Sequence, residues 1–206
     1  MTVAVQLNEL VVHRNRALRG ADIRMDAIVL TGGQGPDPAY RTATVRFGDV
    51  RDGTRLPLDG LLVYHGPAVD FLDVAVWVSR DRGDSLDLSN LLRAELTGMD
   101  VQGAMATLVG VALAEPHAAL AAASVGAAAV IVNVSYRMLS RVVGDTIGLY
   151  RTSLLRHERF GVGRHPAKGS LRAQDFSFAY TVHDVSRRAV DSDGTGRVPQ
   201  PSRYPR

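Results

Sequence analysis

The spacing of apolar residues changes twice along this chain. Residues 3–79 carry short runs in which apolar and polar side chains alternate, the period of a strand whose two faces differ. Residues 88–142 are rich in alanine with helical spacing, and residues 146–185 return to strand-like alternation. This pattern predicts a mostly β (α+β) protein, an antiparallel β-sandwich with an inserted Ala-rich helical hairpin at about 88–143.

Strand pairing is predicted to be antiparallel, because the early connections are too short for parallel crossovers of a dozen or more residues. Asp52-Gly53 separates two apolar runs, and both residues tolerate positive φ, so a hairpin is predicted between Val45–Val50 and Leu56–Leu58. The period of two gives the last strand one apolar face, made by Phe176, Phe178, Tyr180 and Val182. The strands are predicted at about 3–12, 23–31, 40–47, 61–65, 71–79, 146–155 and 175–185.

The alanine-rich segment is interpreted as a packed helical hairpin. Glu115-Pro116 separates two helices, because proline disfavours helical backbone in the residue before it. The longest apolar stretch, 118–134, has 17 residues. A spanning helix needs roughly 20. A membrane-inserting effector that uses the 101–142 hairpin remains the alternative to a packed hairpin.

Composition sets broad limits on the class of protein. The 206 residues are expected to form a single domain over 1–186, followed by a disordered tail or linker over 187–206 that is rich in breakers. The net charge is only +3, so no specific nucleic-acid binding is predicted. Cysteine is absent, which excludes disulfides and thiolate metal sites. The first residues lack a signal-peptide pattern, and a cytoplasmic location is expected.

The first candidate site is an acidic loop. Asp81, Asp84 and Asp87 recur every three residues, and hard cations want several carboxylate oxygens from a flexible loop. Arg80 and Arg82 oppose a cation there, and Asp87 is also placed to cap a helix. A metal site at the three aspartates and a solvated loop are both compatible with this spacing.

A family resemblance accompanies this loop. The run Leu72-Asp73-Val74-Ala75-Val76-Trp77, followed by an acidic turn, resembles a strand and loop of the calcium-dependent phospholipid-binding C-two domains. The resemblance implies an eight-stranded antiparallel sandwich whose end loops carry aspartates. Val78 and Arg80 stand where that family has acidic residues. The resemblance therefore implies the sandwich fold and leaves the calcium ligands unmatched.

The second candidate site is the basic segment 156–169, in which two glycines allow the backbone to turn and expose its amides. Such a loop suits a phosphate or a lipid headgroup. The zinc-protease pattern needs a histidine four residues after His157, where Gly161 stands instead. Phe160 and Val162 are expected either to enter an interface or to anchor the loop in the core. The predicted anion or headgroup ligands are Arg156, His157, Arg159, Arg164, His165 and Lys168.

These features favour a non-enzymatic interaction module for a protein partner or an anionic membrane surface. No cofactor is predicted, because the chain has no dinucleotide fingerprint and no phosphate-binding loop. The alternative is an enzyme whose site no motif encodes, and an acid/base cluster of His65, Asp70 and Asp73 is one such possibility. Nothing in the pattern predicts an oligomeric state.

Overall fold

The computed structural model describes residues 1–32, 39–69, 71–81, 83, 90, 94, 137 and 145–186. Within these ranges the chain forms ten strands and one 3-10 turn, Arg156–Gly161. The strands are β1 (Thr2–Val12), β2 (Ala21–Thr31), β3 (Ala39–Val50), β4 (Thr54–Leu56), β5 (Leu61–Pro67), β6 (Phe71–Arg80), β7 (Thr146–Leu155), β8 (Gly163–His165), β9 (Leu171–Ala173) and β10 (Phe176–Asp184).

The strands form two antiparallel sheets. Sheet A has the order β4-β1-β10-β8, with β5 also paired to β1 and β9 also paired to β10. Sheet B has the order β3-β2-β6-β7. Every one of these strand pairs is antiparallel, which confirms the predicted pairing and the mostly β class.

One hydrophobic core lies between the sheets. Sheet A contributes the predicted apolar face of β10, and Phe176 and Phe178 there are fully buried. Sheet B contributes alternate residues of its two central strands, for example Met25 of β2 and Val76 of β6. Tyr150 of β7 reaches across the core and meets Phe178 edge to face, with ring centroids 4.7 Å apart. This shared core fits the predicted β-sandwich.

The predicted hairpin after β3 is wrong. A turn does form at Asp52-Gly53, and Gly53 has the expected positive φ of 78°. The next strand, β4, nevertheless pairs with β1 of sheet A, where Leu56 lies opposite Leu10 and joins the core. The turn residues fix the local path of the backbone, whereas burial of Leu56 decides which sheet the strand enters.

Sheet B is buried on both faces of its central strands. Residues of β2 and β6 that point away from the core are as inaccessible as those within it. Strands buried on both faces read as near-continuous apolar runs, which is the pattern of Phe71–Val78. On this outer face the buried apolar side chains are Ile28, Leu30, Phe71, Ala75 and Trp77.

Two predicted segments lie outside the described residues: the tail 187–206 and, apart from the isolated residues 90, 94 and 137, the helical insertion at 88–143, which contains the 101–142 hairpin. In the part of the chain that is described, no helix has the length and apolar character needed to cross a bilayer.

Candidate functional site

The basic segment 156–169 wraps the end and edge of sheet A. Its 3-10 turn follows β7, and β8 then pairs with β10, where His165 lies opposite Tyr180 and Arg164 opposite Thr181. The sequence predicts no strand between 155 and 175, so β8 is an additional element. Strand β8 has only three residues, too few for period-two alternation to stand out in the sequence.

Two side chains anchor the segment to the body of the protein. Phe160 is buried in the core, with 2% of its surface exposed. His165 stacks on Tyr180 with ring centroids 4.8 Å apart, and its Nε2 hydrogen-bonds to the Gly161 carbonyl. Anchoring of Phe160 in the core is thereby confirmed, and the loop conformation is fixed from both ends.

The backbone of residues 159–161 is left-handed. Arg159, Phe160 and Gly161 have φ values of 53°, 54° and 58°. The left-handed conformation costs a non-glycine residue roughly 1–2 kcal/mol. At Gly161 a Cβ atom would also lie 3.0 Å from Leu154 and 3.1 Å from His165. The burial of Phe160 compensates for this strain and holds the turn in one conformation.

The charged side chains of the segment take different partners. Arg159 lies 3.8 Å from Asp184, and His157 lies 3.9 Å from Glu158. Arg164 lies 3.6 Å from Glu9 and donates to the Pro166 carbonyl at 2.7 Å. Arg156 and Lys168 are exposed.

Arg164 and His165 occupy opposite faces of β8, because neighbouring residues of a strand alternate. The six predicted ligands therefore do not share one face. Arg164 lies on the outer face of sheet A and His165 on the opposite face of β8, whereas Lys168 follows β8 and the 3-10 turn holds Arg156, His157 and Arg159. Whether they bind an anion stays a prediction.

The acidic loop is described only at its start. Asp81 accepts a hydrogen bond from Gly83 N–H at 3.0 Å and forms an ion pair with Arg46 at 2.7 Å. Asp84 and Asp87 lie outside the described residues. The described ranges contain no cluster of three or more side chains suited to hold a metal ion. A metal at the three aspartates remains a prediction, and Asp81 already has a positive neighbour.

The suggested acid/base cluster does not assemble in the described residues. His65 is exposed on β5 of sheet A, whereas Asp73 is fully buried on the outer face of sheet B, and Asp70 lies outside the described residues. The two-sheet body separates His65 from Asp73. Alternation alone did not assign the strands to different sheets.

Two aspartates lie buried on the outer face of sheet B in different surroundings. Arg24 Nε donates to both carboxylate oxygens of Asp26, at 3.1 and 2.8 Å, and Thr44 Oγ1 donates to Oδ1 at 2.6 Å. Asp73 has no hydrogen-bond partner of acceptable geometry for either oxygen. Burial raises the pKa of Asp73 from 3.8 to about 6, although Ser153 and Arg151 act to lower it.

Sequence reasoning missed two arginines that share a face with Arg164. Arg55 of β4 lies opposite Val11, and Arg172 of β9 lies opposite Ser177, on the side of sheet A away from the core. Each sits at the centre of a three-residue strand. No local pattern joins them, because the topology of β1 and β10 alone brings them to one surface.

No protein-family model, curated protein or solved structure matches this chain.

Proposed function

We propose that this protein is a non-enzymatic binding module that docks on an anionic membrane surface through its segment 156–169. The observation that carries the proposal is the rigid anchoring of this segment, which leaves cationic side chains outside and Phe160 inside. Val162, 38% exposed, follows the turn directly and adds an apolar contact among the cations. A preformed loop of this kind binds without the entropic cost of ordering itself.

The expected affinity is mainly electrostatic. Each lysine or arginine near an anionic surface contributes on the order of 1 kcal/mol, which fades within a Debye length of about 8 Å at physiological salt. Arg156, Arg159 and Lys168 are all exposed on this segment. Together they account for about 3 kcal/mol, or roughly a hundredfold in affinity. Binding should therefore weaken steeply as salt is added.

The architecture we propose for the module is a β-sandwich with the helical insertion at 88–143. The buried outer face of sheet B supports a further layer over that sheet. The insertion joins β6 to β7, which are neighbouring strands of sheet B. The likeness of Leu72–Trp77 to a strand of the C-two domains agrees with a lipid-surface function.

Co-sedimentation with phosphatidylserine vesicles tests the membrane proposal. The triple variant Arg156→Ala/Arg159→Ala/Lys168→Ala is compared with Arg14→Ala/Arg19→Ala/Arg51→Ala, which removes the same charge at the other end of the strands. The first should lose binding at low salt by roughly a hundredfold, and the second should keep it. An intact protein that stays in the supernatant at low salt refutes the proposal. If the second variant loses vesicle binding instead, the docking site is the loop around Leu18, whose side chain is fully exposed.

A further inference from the structure

The outer face of sheet A gathers arginines from three strands that are far apart in the sequence. Arg55, Arg164 and Arg172 belong to β4, β8 and β9, and all three are exposed. Strands are spaced about 4.8 Å apart, so β4 and β9, on either side of β1 and β10, lie about 14 Å from each other. We call the surface bounded by these three arginines the arginine face.

The floor of the arginine face is already ordered. Small side chains lie in it and beside it: Ala179, opposite Glu9, is 0% exposed, and Ala4, two residues beyond Gln6, is 8% exposed. The polar side chains around them hydrogen-bond to one another and to nearby backbone. These contacts are Gln6 to the Gly60 carbonyl at 2.6 Å, Asn8 to Thr181 at 2.7 Å, His13 to Ser177 at 2.9 Å and His183 to Gln6 at 3.1 Å.

Apolar surface is available at one side of the arginine face. Leu62 of β5 is 55% exposed and lies opposite Gln6. Next to Arg55, an open recess of about 370 Å³ is lined by residues that include Pro57, Leu58 and Asp59. A recess of this size accepts one aliphatic or aromatic side chain of a partner.

A single glutamate lies between two of the arginines. Glu9 forms ion pairs with Arg55 of β4 and with Arg164 of β8. A guanidinium carries five N–H donors, so each arginine keeps donors that one carboxylate does not occupy. Glu9 thus occupies some N–H donors of Arg55 and Arg164 and leaves others for further carboxylates.

We propose that the arginine face binds an extended acidic protein segment that places an apolar side chain in the recess beside Arg55. The arginines favour carboxylates, which they bind in a bidentate manner. Measured along β1, the face runs from Gln6, level with Arg164, to Val11, level with Arg55 and Arg172. At about 3.4 Å per residue it is matched by an extended segment of roughly six residues.

Charge argues against two other occupants. Residues 187–206 contain five arginines and two aspartates, so the chain's own C-terminal segment carries the same sign as the face. A second copy would bring an identical set of arginines against the first. An acidic segment of another protein is therefore the occupant that the face favours.

Fluorescence anisotropy tests the proposal with two labelled peptides of about ten residues, one built from Glu and Leu and the other from Lys and Leu. The Glu/Leu peptide should bind, and Arg55→Gln/Arg172→Gln should weaken it by roughly tenfold, since exposed ion pairs contribute up to about 1 kcal/mol each. The control Arg14→Gln/Arg19→Gln removes equal charge and should change binding less than about twofold. Leu62→Ser should weaken binding of the Glu/Leu peptide while leaving the charge of the protein unchanged.

Equal binding of both peptides, or equal losses in the two double variants, overturns the proposal. All substituted side chains are exposed, so each variant should fold, and thermal unfolding is the measurement that checks this. Phosphatidylserine vesicles provide a separate outcome. The protein-segment proposal fails if the wild-type protein does not bind the Glu/Leu peptide but binds vesicles, and Arg55→Gln/Arg172→Gln abolishes the vesicle binding. The arginine face would then be a lipid-binding surface. The membrane proposal above is tested by different residues and stands or falls independently.

Discussion

The two sheets carry opposite kinds of side chain on the faces that point away from their shared core. Sheet A presents Gln6, Glu9 and Thr181 there, partly exposed and hydrogen-bonded or ion-paired. Sheet B presents Leu30, Phe71 and other side chains that are buried. Clean alternation of apolar and polar residues holds only where one face of a strand meets water. Binding is therefore expected from sheet A, and large effects of substitution on stability from sheet B.

Within sheet B, the two buried aspartates differ in their hydrogen-bond and ion-pair partners. Asp26 is neutralised by Arg24 and accepts a further hydrogen bond from Thr44. Asp73 is equally inaccessible and has no such partners in acceptable geometry. Removing each carboxylate should consequently change the free energy of unfolding in opposite directions.

The largest effect is expected from Asp26→Ala. It leaves the guanidinium of Arg24, whose side chain is 6% exposed, without its carboxylate and should lower the free energy of unfolding by about 3–5 kcal/mol. Denaturant unfolding measures this loss. The double variant Arg24→Met/Asp26→Leu removes both charges and should be close to wild type. A loss of less than about 1 kcal/mol in Asp26→Ala, the value typical of an exposed pair, would mean that the outer face of sheet B is open to water.

Asp73→Asn should stabilise the protein at neutral pH. Burial raises the pKa of Asp73 to about 6, so the folded state binds this proton more tightly than the unfolded state does. The contribution of Asp73 to stability is therefore full below pH 3.8 and is lost as pH rises through 6. The asparagine variant should gain about 3 kcal/mol at pH 7 and almost nothing near pH 4. Parallel urea titrations at both pH values check this, and a gain independent of pH contradicts it.

A matched pair of substitutions compares the two outer faces directly. Ala75 lies on the outer face of sheet B and Ala179 on that of sheet A, and both are at most 2% exposed. Ala75→Leu should lower the free energy of unfolding by about 1–3 kcal/mol, because a fully buried position has no room for the added volume. Ala179→Leu should cost less than about 1 kcal/mol, since its partly exposed neighbour Glu9 can move into water. Equal losses would remove the distinction between the faces.

The smallest effect on stability is expected from Glu9→Gln. Its ion pairs with Arg55 and Arg164 are exposed, so the free energy of unfolding should fall by less than about 1 kcal/mol. The same change should strengthen binding of the acidic Glu/Leu peptide, because it removes a carboxylate that is paired with both arginines. Thermal unfolding and anisotropy measure the two quantities. Weaker peptide binding would show that Glu9 positions the arginines rather than competes for them.

The sequence by itself determined the long strands and their antiparallel pairing, and the three-residue strands β8 and β9 were not predicted. Thr146–Leu155 was predicted with its observed bounds, and the core face of β10 was predicted from Phe176, Phe178 and Tyr180. These features follow from local periodicity and from connection lengths, which are properties of neighbouring residues. Phe160 lies in a polar loop, so the sequence allowed two outcomes for its side chain, burial in the core or entry into an interface.

Only the tertiary structure decided which elements share a surface. It placed β4 in sheet A beside β1, put Arg164 on a common face with Arg55 and Arg172, and separated His65 from Asp73. It also buried Asp73, the one polar residue of the apolar run Phe71–Val78, with no hydrogen-bond partner of acceptable geometry. The physical reason is that long-range strand pairing and side-chain burial depend on residues far apart in the chain, whereas periodicity reports only which neighbours point the same way.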